Sequence, residues 1–165
     1  MHRENSTYVI YTLAIIVAVL VTSVFFLSTY RKETMPGRNM ASQTVLLAIG
    51  TISIVTEIAD TPQERTTGLS GRTELTDGTG MLFVFDSPDM YGFWMKEMLF
   101  PIDIIWIGAD GRIVWILPRV APESYPTVFR PDRPAQYVLE TPAGYAEMHS
   151  ISVGDSVAGL PSAPI

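Results

Sequence analysis

From Tyr8 to Leu27 the chain reads YVIYTLAIIVAVLVTSVFFL, twenty consecutive residues without a charge. At about 1.5 Å of rise per residue a helix of that length spans about 30 Å, the thickness of a bilayer's hydrocarbon core. The many β-branched residues would weaken such a helix in water. In lipid they do not, because a helix is what satisfies the backbone N–H and C=O groups there. Tyr8, Tyr11 and Tyr30 suit the two interfaces. The pattern predicts a transmembrane helix over residues 8–29, preceded by an N-terminal tail, 1–7. A cleaved export signal has a shorter apolar run and a small-residue cleavage site. The STYRKETM run after the apolar segment offers no such site, so the segment reads as an uncleaved anchor.

Beyond a polar linker (30–43) containing Pro36 and Gly37, the period changes to that of strands. TVLLAIGTISIVTEIA is rich in β-branched residues, with Gly50 placed as a turn or bulge. Thr61-Pro62-Gln63-Glu64 starts a helix: a capping Thr, Pro at the first helical position and Glu three residues past the cap. Gly68 ends it. Gly80–Phe85, the turn residues Asp86 to Asp89 and then Met90–Met98 predict one hairpin. Ile102–Ile107 and Arg112–Leu117 around Gly108-Ala109-Asp110-Gly111 predict a second. Residues 118–135 carry five prolines and read as a long connection. A strand at Gln136–Glu140, a helical turn near Ala143–Met148 and a strand around Ser156–Ala158 complete the body, leaving a C-terminal tail, 159–165. The expected architecture is a mainly β domain over 44–158, a sandwich or partly closed barrel with one or two short helices, preceded by the single transmembrane helix.

Charge narrows the partners. After residue 38 there are seven basic and fifteen acidic side chains, a net of −8. A phosphate backbone attracts the opposite balance, so nucleic acid is excluded as a partner. The membrane is expected as a partner through residues 8–29. Arg31, Lys32 and Arg38 behind the apolar segment outweigh Arg3 ahead of it, which favours a cytoplasmic domain by the positive-inside rule. A lone apolar segment near an N-terminus usually translocates the chain behind it, and the expectation is an extracytoplasmic domain, periplasmic in a bacterium. Absence of cysteine fits either side.

The same composition limits the chemistry. With no cysteine and with His2 and His149 as its two histidines, the chain lacks the ligands for a His/Cys metal site. A Ser–His–Asp site would have to be built on His149 alone. No phosphate-binding glycine loop occurs, and no cofactor is expected. Met81, Met90, Met95 and Met98 offer soft thioethers of the kind that select Cu(I), although gap-filling in a core explains them as well.

Two carboxylates stand out. Asp103 falls inside PIDIIWI, where alternation places it with Ile105 and Ile107 on an apolar face. A charge there needs a partner, and Lys96, Arg65 and Arg72 are the candidates, either as a buried ion pair that fixes register or around a poised acid. Glu140 ends the strand YVLE and reads either as a solvated or capping glutamate or as a second acid. Were the two to share a cleft about 5–10 Å apart, paired-carboxylate glycoside hydrolysis would be arguable. Aromatics gather in YGFWMKEMLF. Read as a strand, this segment places Trp94, Lys96 and Met98 on one face, suited to a sugar ring or a peptide, and Phe93, Met95 and Glu97 on the other. The candidate binding residues are therefore Arg65, Arg72, Trp94, Lys96, Asp103 and Glu140.

The runs ERTTGLSGRTEL, GMLFVF, FWMKEMLFPIDIIWIGADGRIV, VLETPAG and VGDSV together resemble the domain of unknown function 192 family over residues 44 to 158. The resemblance implies a mostly β, sandwich-like fold, and many bacterial members similarly begin with an export or anchor segment. It supplies no catalytic residue and no ligand. Met98 stands where many relatives carry a small polar residue. The functional expectation is a membrane-tethered, non-catalytic binding or accessory module for a cell-envelope protein or glycan. The alternative is a hydrolase-type enzyme using Asp103 and Glu140.

Overall fold

The computed structural model describes residues 43–162. The membrane helix expected over 8–29, the N-terminal tail, all but the last residue of the linker and the end of the C-terminal tail lie outside them. Among the described residues no helix is long and apolar enough to cross a membrane.

Among the described residues there are seven strands: β1 (Thr44–Ile49), β2 (Ile52–Ala59), β3 (Thr79–Asp89), β4 (Ile102–Ile107), β5 (Ile113–Val120), β6 (Ala135–Pro142) and β7 (Val157–Ala158), of which β1, β2, β4 and β5 arise from β-branched runs. Two short helices accompany them, α1 (Pro62–Thr67) and α2 (Tyr145–Met148). The strands form a single sheet in the order β5-β4-β6-β3-β2-β1-β7. Its two ends meet at one corner. Arg112 and Ser156 form an antiparallel bridge, Ile113 N–H donates to the Asp155 carbonyl at 3.0 Å, and Val157 N–H donates to the Gly111 carbonyl at 2.8 Å. Of the two architectures the pattern left open, the chain forms the partly closed one, a half-barrel, and not two stacked sheets.

β1 and β2 pair antiparallel across a tight turn at Gly50, whose φ of 60° is the left-handed conformation that glycine adopts without strain. β2 and β3 pair parallel, with α1 in the crossover. Both halves of the predicted capping box are present. Glu64 N–H donates to the Thr61 hydroxyl at 3.2 Å, and Thr61 N–H donates to the Glu64 carboxylate at 3.0 Å. The Thr61 N–H, with the Thr61 hydroxyl donating to the same carboxylate at 2.8 Å, holds the Glu64 carboxyl below its ordinary value.

The hairpin expected over 80–98 does not form. β3 continues through the presumed turn to Asp89, with a register shift after Val84, and Met90–Met98 makes no strand beyond a bridge from Phe93 to Phe129. The reason is topological. Up to Phe83, β3 is flanked by β2 on one side and β6 on the other, so the residues a hairpin would have paired have no free edge. Glu97 adopts φ 58°, and the backbone of this segment bonds instead to the loop after α1. β5 likewise runs to Val120, three residues beyond the predicted strand. It is an end strand of the sheet, where a proline such as Pro118 is tolerated.

Both faces of the sheet are covered. One apolar cluster gathers Leu47, Ile54, Leu82, Ile105, Leu139 and Tyr145; the other gathers Leu69, Phe83, Phe93, Met95, Ile104 and Trp106. β4 lies between them and is buried at every position.

Candidate functional site

Register separates the two acids. In the β4–β6 ladder Asp103 lies opposite Thr141 while Ile104 lies opposite Glu140. Paired residues share a face and neighbours alternate, so Asp103 points to one side of the sheet and Glu140 to the other. The paired-carboxylate arrangement is therefore not realised.

Asp103 is fully buried. Its Oδ1 accepts from Arg119 N–H at 2.8 Å and Gly144 N–H at 2.7 Å, and its Oδ2 accepts from Ala146 N–H at 2.9 Å. Two of these donors belong to the start of α2, whose first N–H groups have no partner within the helix. The partners are backbone amides and not the cations the sequence suggested: Arg65, Arg72 and Lys96 are engaged elsewhere. Asp103 fixes the end of β5 to α2, which is a structural task.

Glu140 belongs to the second face. Glu57 of β2, Met81 of β3, Glu140 of β6 and Ile104 of β4 are successive partners across the four strands. The Arg72 guanidinium forks onto Glu57, with its Nη2 at 2.8 Å from Oε2. Glu140 is left 5% exposed, and its Oε2 has no hydrogen-bond partner. Burial raises its carboxyl to about 8, against the opposing attraction of Arg72. β3 approaches it closely at Gly80, where a Cβ would stand 2.7 Å from the Glu140 carbonyl oxygen, so glycine is required there.

Above Glu140 opens a cleft of about 370 Å³. One wall is α1 with the loop after it (Arg65 to Ser70), and the other is the irregular segment from Tyr91 to Met98. The walls are tied at Ser70, whose hydroxyl donates to the Lys96 carbonyl at 3.0 Å, and at Gly71, whose N–H donates to the Glu97 carbonyl at 2.9 Å. Aromatic rings set the lining. Phe85 stacks on Tyr91 with centroids 3.5 Å apart, Phe93 meets Phe83 edge-on at 4.9 Å, and the Trp106 indole N–H donates to the Tyr91 carbonyl at 3.0 Å. Arg65 reaches across the mouth, donating to the Asp60 carbonyl and, at 2.8 Å, to the Val84 carbonyl, with its guanidinium 5.1 Å from the Phe85 ring centroid. Trp94 is 51% exposed, and Lys96 is exposed beside it.

Of the sequence candidates, Arg65, Trp94, Lys96 and Glu140 thus line one cleft, with Arg72 behind Glu140, and Asp103 is elsewhere. Trp94 and Lys96 point out and Phe93 and Met95 point in, as alternation predicts, but the left-handed Glu97 reverses the order and buries Met98. Met81, Met95 and Met98 pack in the second apolar cluster while Met90 is exposed. His149 packs against the Tyr145 ring, centroids 4.3 Å apart. Phe83, Phe85 and Ser70 were not singled out from the sequence. Their signal was faint, since GMLFVF reads simply as a buried strand, and nothing local says that its aromatics face a cleft.

Two solved structures share this fold. A protein of unknown function from Novosphingobium aromaticivorans DSM 12444 is 35% identical, with a TM-score of 0.68 over 73% of this chain and 88% of that one. A protein from Sinorhizobium meliloti 1021, described as a candidate transcription regulator, is 28% identical, with a TM-score of 0.67 over 72% of this chain and 95% of that one. A comparison with curated proteins gives no match. The profile of the DUF192 family, described as "Uncharacterized ACR", matches residues 45–159. With that profile covering more than half of its length, the chain belongs to the DUF192 family.

Proposed function

We propose that this chain is a membrane-tethered binding module whose domain stands outside the cytoplasm and holds a cell-envelope ligand in the cleft over Glu140. The observation that carries this reading is the buried, unpartnered Glu140 oxygen at the base of an aromatic-walled cleft. A buried polar atom without a partner costs about 1–3 kcal/mol, which a ligand's hydrogen bond would recover. Ligand pockets are typically about 300–1,000 Å³, mostly apolar, with a few placed polar groups, and this cleft fits that description. Glu140 is the sole acid among the described residues that line it, so the cleft supplies one carboxyl where glycoside hydrolysis requires two. That favours holding a ligand over turning it over. The S. meliloti protein is described as a candidate transcription regulator; direct DNA binding by this domain would need a phosphate-attracting surface, and the domain carries an excess of acids.

The full chain in phosphatidylcholine nanodiscs, screened against fluorinated ring fragments by NMR, is expected to bind a subset of them. Trp94→Ala should weaken those hits by about two- to tenfold, the worth of one aromatic contact. Hits indifferent to Trp94→Ala would place binding elsewhere and end the reading.

Tethering rests on residues 8–29 and has its own test. After carbonate washing the full-length chain is expected to stay with the membranes, and protease added to spheroplasts should remove the domain. Recovery in the wash, or protection until the cells are lysed, would contradict the placement.

A further inference from the structure

The lining of the cleft narrows the kind of ligand. Its base presents one carboxyl, whose Oε2 is buried and has no partner. The nearby guanidinium of Arg72 is already forked onto Glu57, so it does not hold Glu140 as an ion pair. At the mouth stand Arg65 and Lys96, and the hydroxyls of Thr66, Thr67 and Ser70. A cationic ligand would have to pass two like charges, and Arg65 already occupies the Phe85 ring face that a cation would use. An anionic ligand would find its cations already engaged: the Arg65 guanidinium donates to the Asp60 and Val84 carbonyls, and the Lys96 ammonium lies 4.0 Å from the Glu97 carboxylate. What remains is an uncharged ligand with hydrogen-bonding groups on its edge and a flat apolar face, for which Trp94 supplies a half-exposed ring. A pyranose has that shape: hydroxyls around the rim and C–H groups on its faces.

We infer that the cleft is a carbohydrate subsite, in which a neutral pyranose lies against Trp94 and a ring hydroxyl or N-acetyl group hydrogen-bonds to the Glu140 carboxyl. This rests on the reading that the cleft binds a ligand, and it adds the ligand's class. A neutral carboxyl and a carboxamide both offer a hydrogen-bond acceptor and a donor on the same frame without charge. Sugar binding should therefore survive Glu140→Gln and be lost in Glu140→Leu. Binding of a cation would be lost in both.

The test titrates cellobiose and N,N′-diacetylchitobiose into the full chain in phosphatidylcholine nanodiscs, with choline as the cationic control, followed by calorimetry and tryptophan emission. At least one disaccharide is expected to bind, within about threefold of wild type for Glu140→Gln. The loss should exceed about tenfold for Glu140→Leu and lie at about two- to tenfold for Trp94→Ala. Trp94 is exposed, so its variant folds even where a Glu140 variant does not. Silence toward both sugars, with ring fragments still bound in the cleft, overturns the carbohydrate assignment and leaves the binding reading standing. Choline binding that Glu140→Gln abolishes overturns the assignment in favour of a cation site. Silence toward sugars and fragments alike ends both.

Discussion

Replacing Asp103 by alanine is expected to destabilise the domain by about 3–5 kcal/mol, the largest loss from any single polar truncation in it. Its carboxylate accepts three backbone N–H groups, from Arg119, Gly144 and Ala146, at a position with no solvent exposure. Truncation leaves the Gly144 and Ala146 donors buried and unpaired, at about 1–3 kcal/mol each, and removes the acceptor of the part-buried Arg119 N–H. Arg119 is held at φ 51° and Gly144 at φ 84°, so neither backbone can relax into an ordinary conformation to find another acceptor without moving β5 or α2. For a domain of this size the loss corresponds to about 10 °C or more in Tm. Asp103→Asn keeps one acceptor and turns an NH₂ toward the remaining donors, so it should fall between wild type and alanine. Chemical denaturation followed by tryptophan fluorescence measures both, and faster hydrogen exchange at Gly144 and Ala146 locates the effect. A loss below about 1 kcal/mol for Asp103→Ala would mean that the three bonds do not hold α2 in place.

The prominence of Asp103 in the sequence and its plain role in the structure have one cause. Alternation correctly placed it among isoleucines on an apolar face, and elementary desolvation required it to be satisfied there. What alternation cannot supply is the identity of the partner. The donors come from segments 16, 41 and 43 residues away, brought in by β5 and α2, and backbone amides carry no signature in a sequence. Side-chain cations do, and so Lys96, Arg65 and Arg72 were the visible candidates.

Local signals were otherwise dependable. The Thr61–Glu64 capping box, the Asp110-Gly111 turn and the β-branched runs of β1, β2 and β4 form where their chemistry puts them, because each is settled within a few residues. Errors appeared where the sheet order decides. Asp86 to Asp89 carry turn chemistry, yet β3 runs through them to pair Asp89 with Ala135 of β6, while its residues up to Phe83 are already flanked by β2 and β6. The segment from Tyr91 to Met98 was then freed to become a cleft wall. That is why Phe83, Phe85 and Ser70 are not legible as lining while Trp94, Lys96 and Arg65 are. The legible ones carry conspicuous side chains, and the others gain their meaning from where the wall lands. Glu140 was visible in a different way. It ends YVLE, whose residues alternate between two apolar faces, and an acid continuing a strand buried on both sides should have weighed more than the capping role suggested by Thr141-Pro142.

That burial has a thermodynamic consequence that separates Glu140 from every exposed acid on the domain. Its carboxyl titrates at about 8 in the folded chain against 4.5 for a freely solvated glutamate, because burial penalises the charged form more than Arg72 favours it. The folded state therefore holds a proton between those two values that the unfolded chain has released. Stability changes with pH as the difference in protons bound, unfolded minus folded, and here that difference is negative. The contribution of Glu140 is fully present below pH 4.5 and is lost as pH rises toward 8, at up to about 1.4 kcal/mol per pH unit. A salt-bridged carboxylate would do the reverse. Glu140→Gln removes the titrating group while keeping its shape, so the difference in unfolding free energy between wild type and Glu140→Gln should swing toward the variant by several kcal/mol across that window. Parallel curves for the two proteins from pH 4.5 to 8 would show that Glu140 is charged when folded, and the cleft would then present an anion at its base instead of a neutral carboxyl.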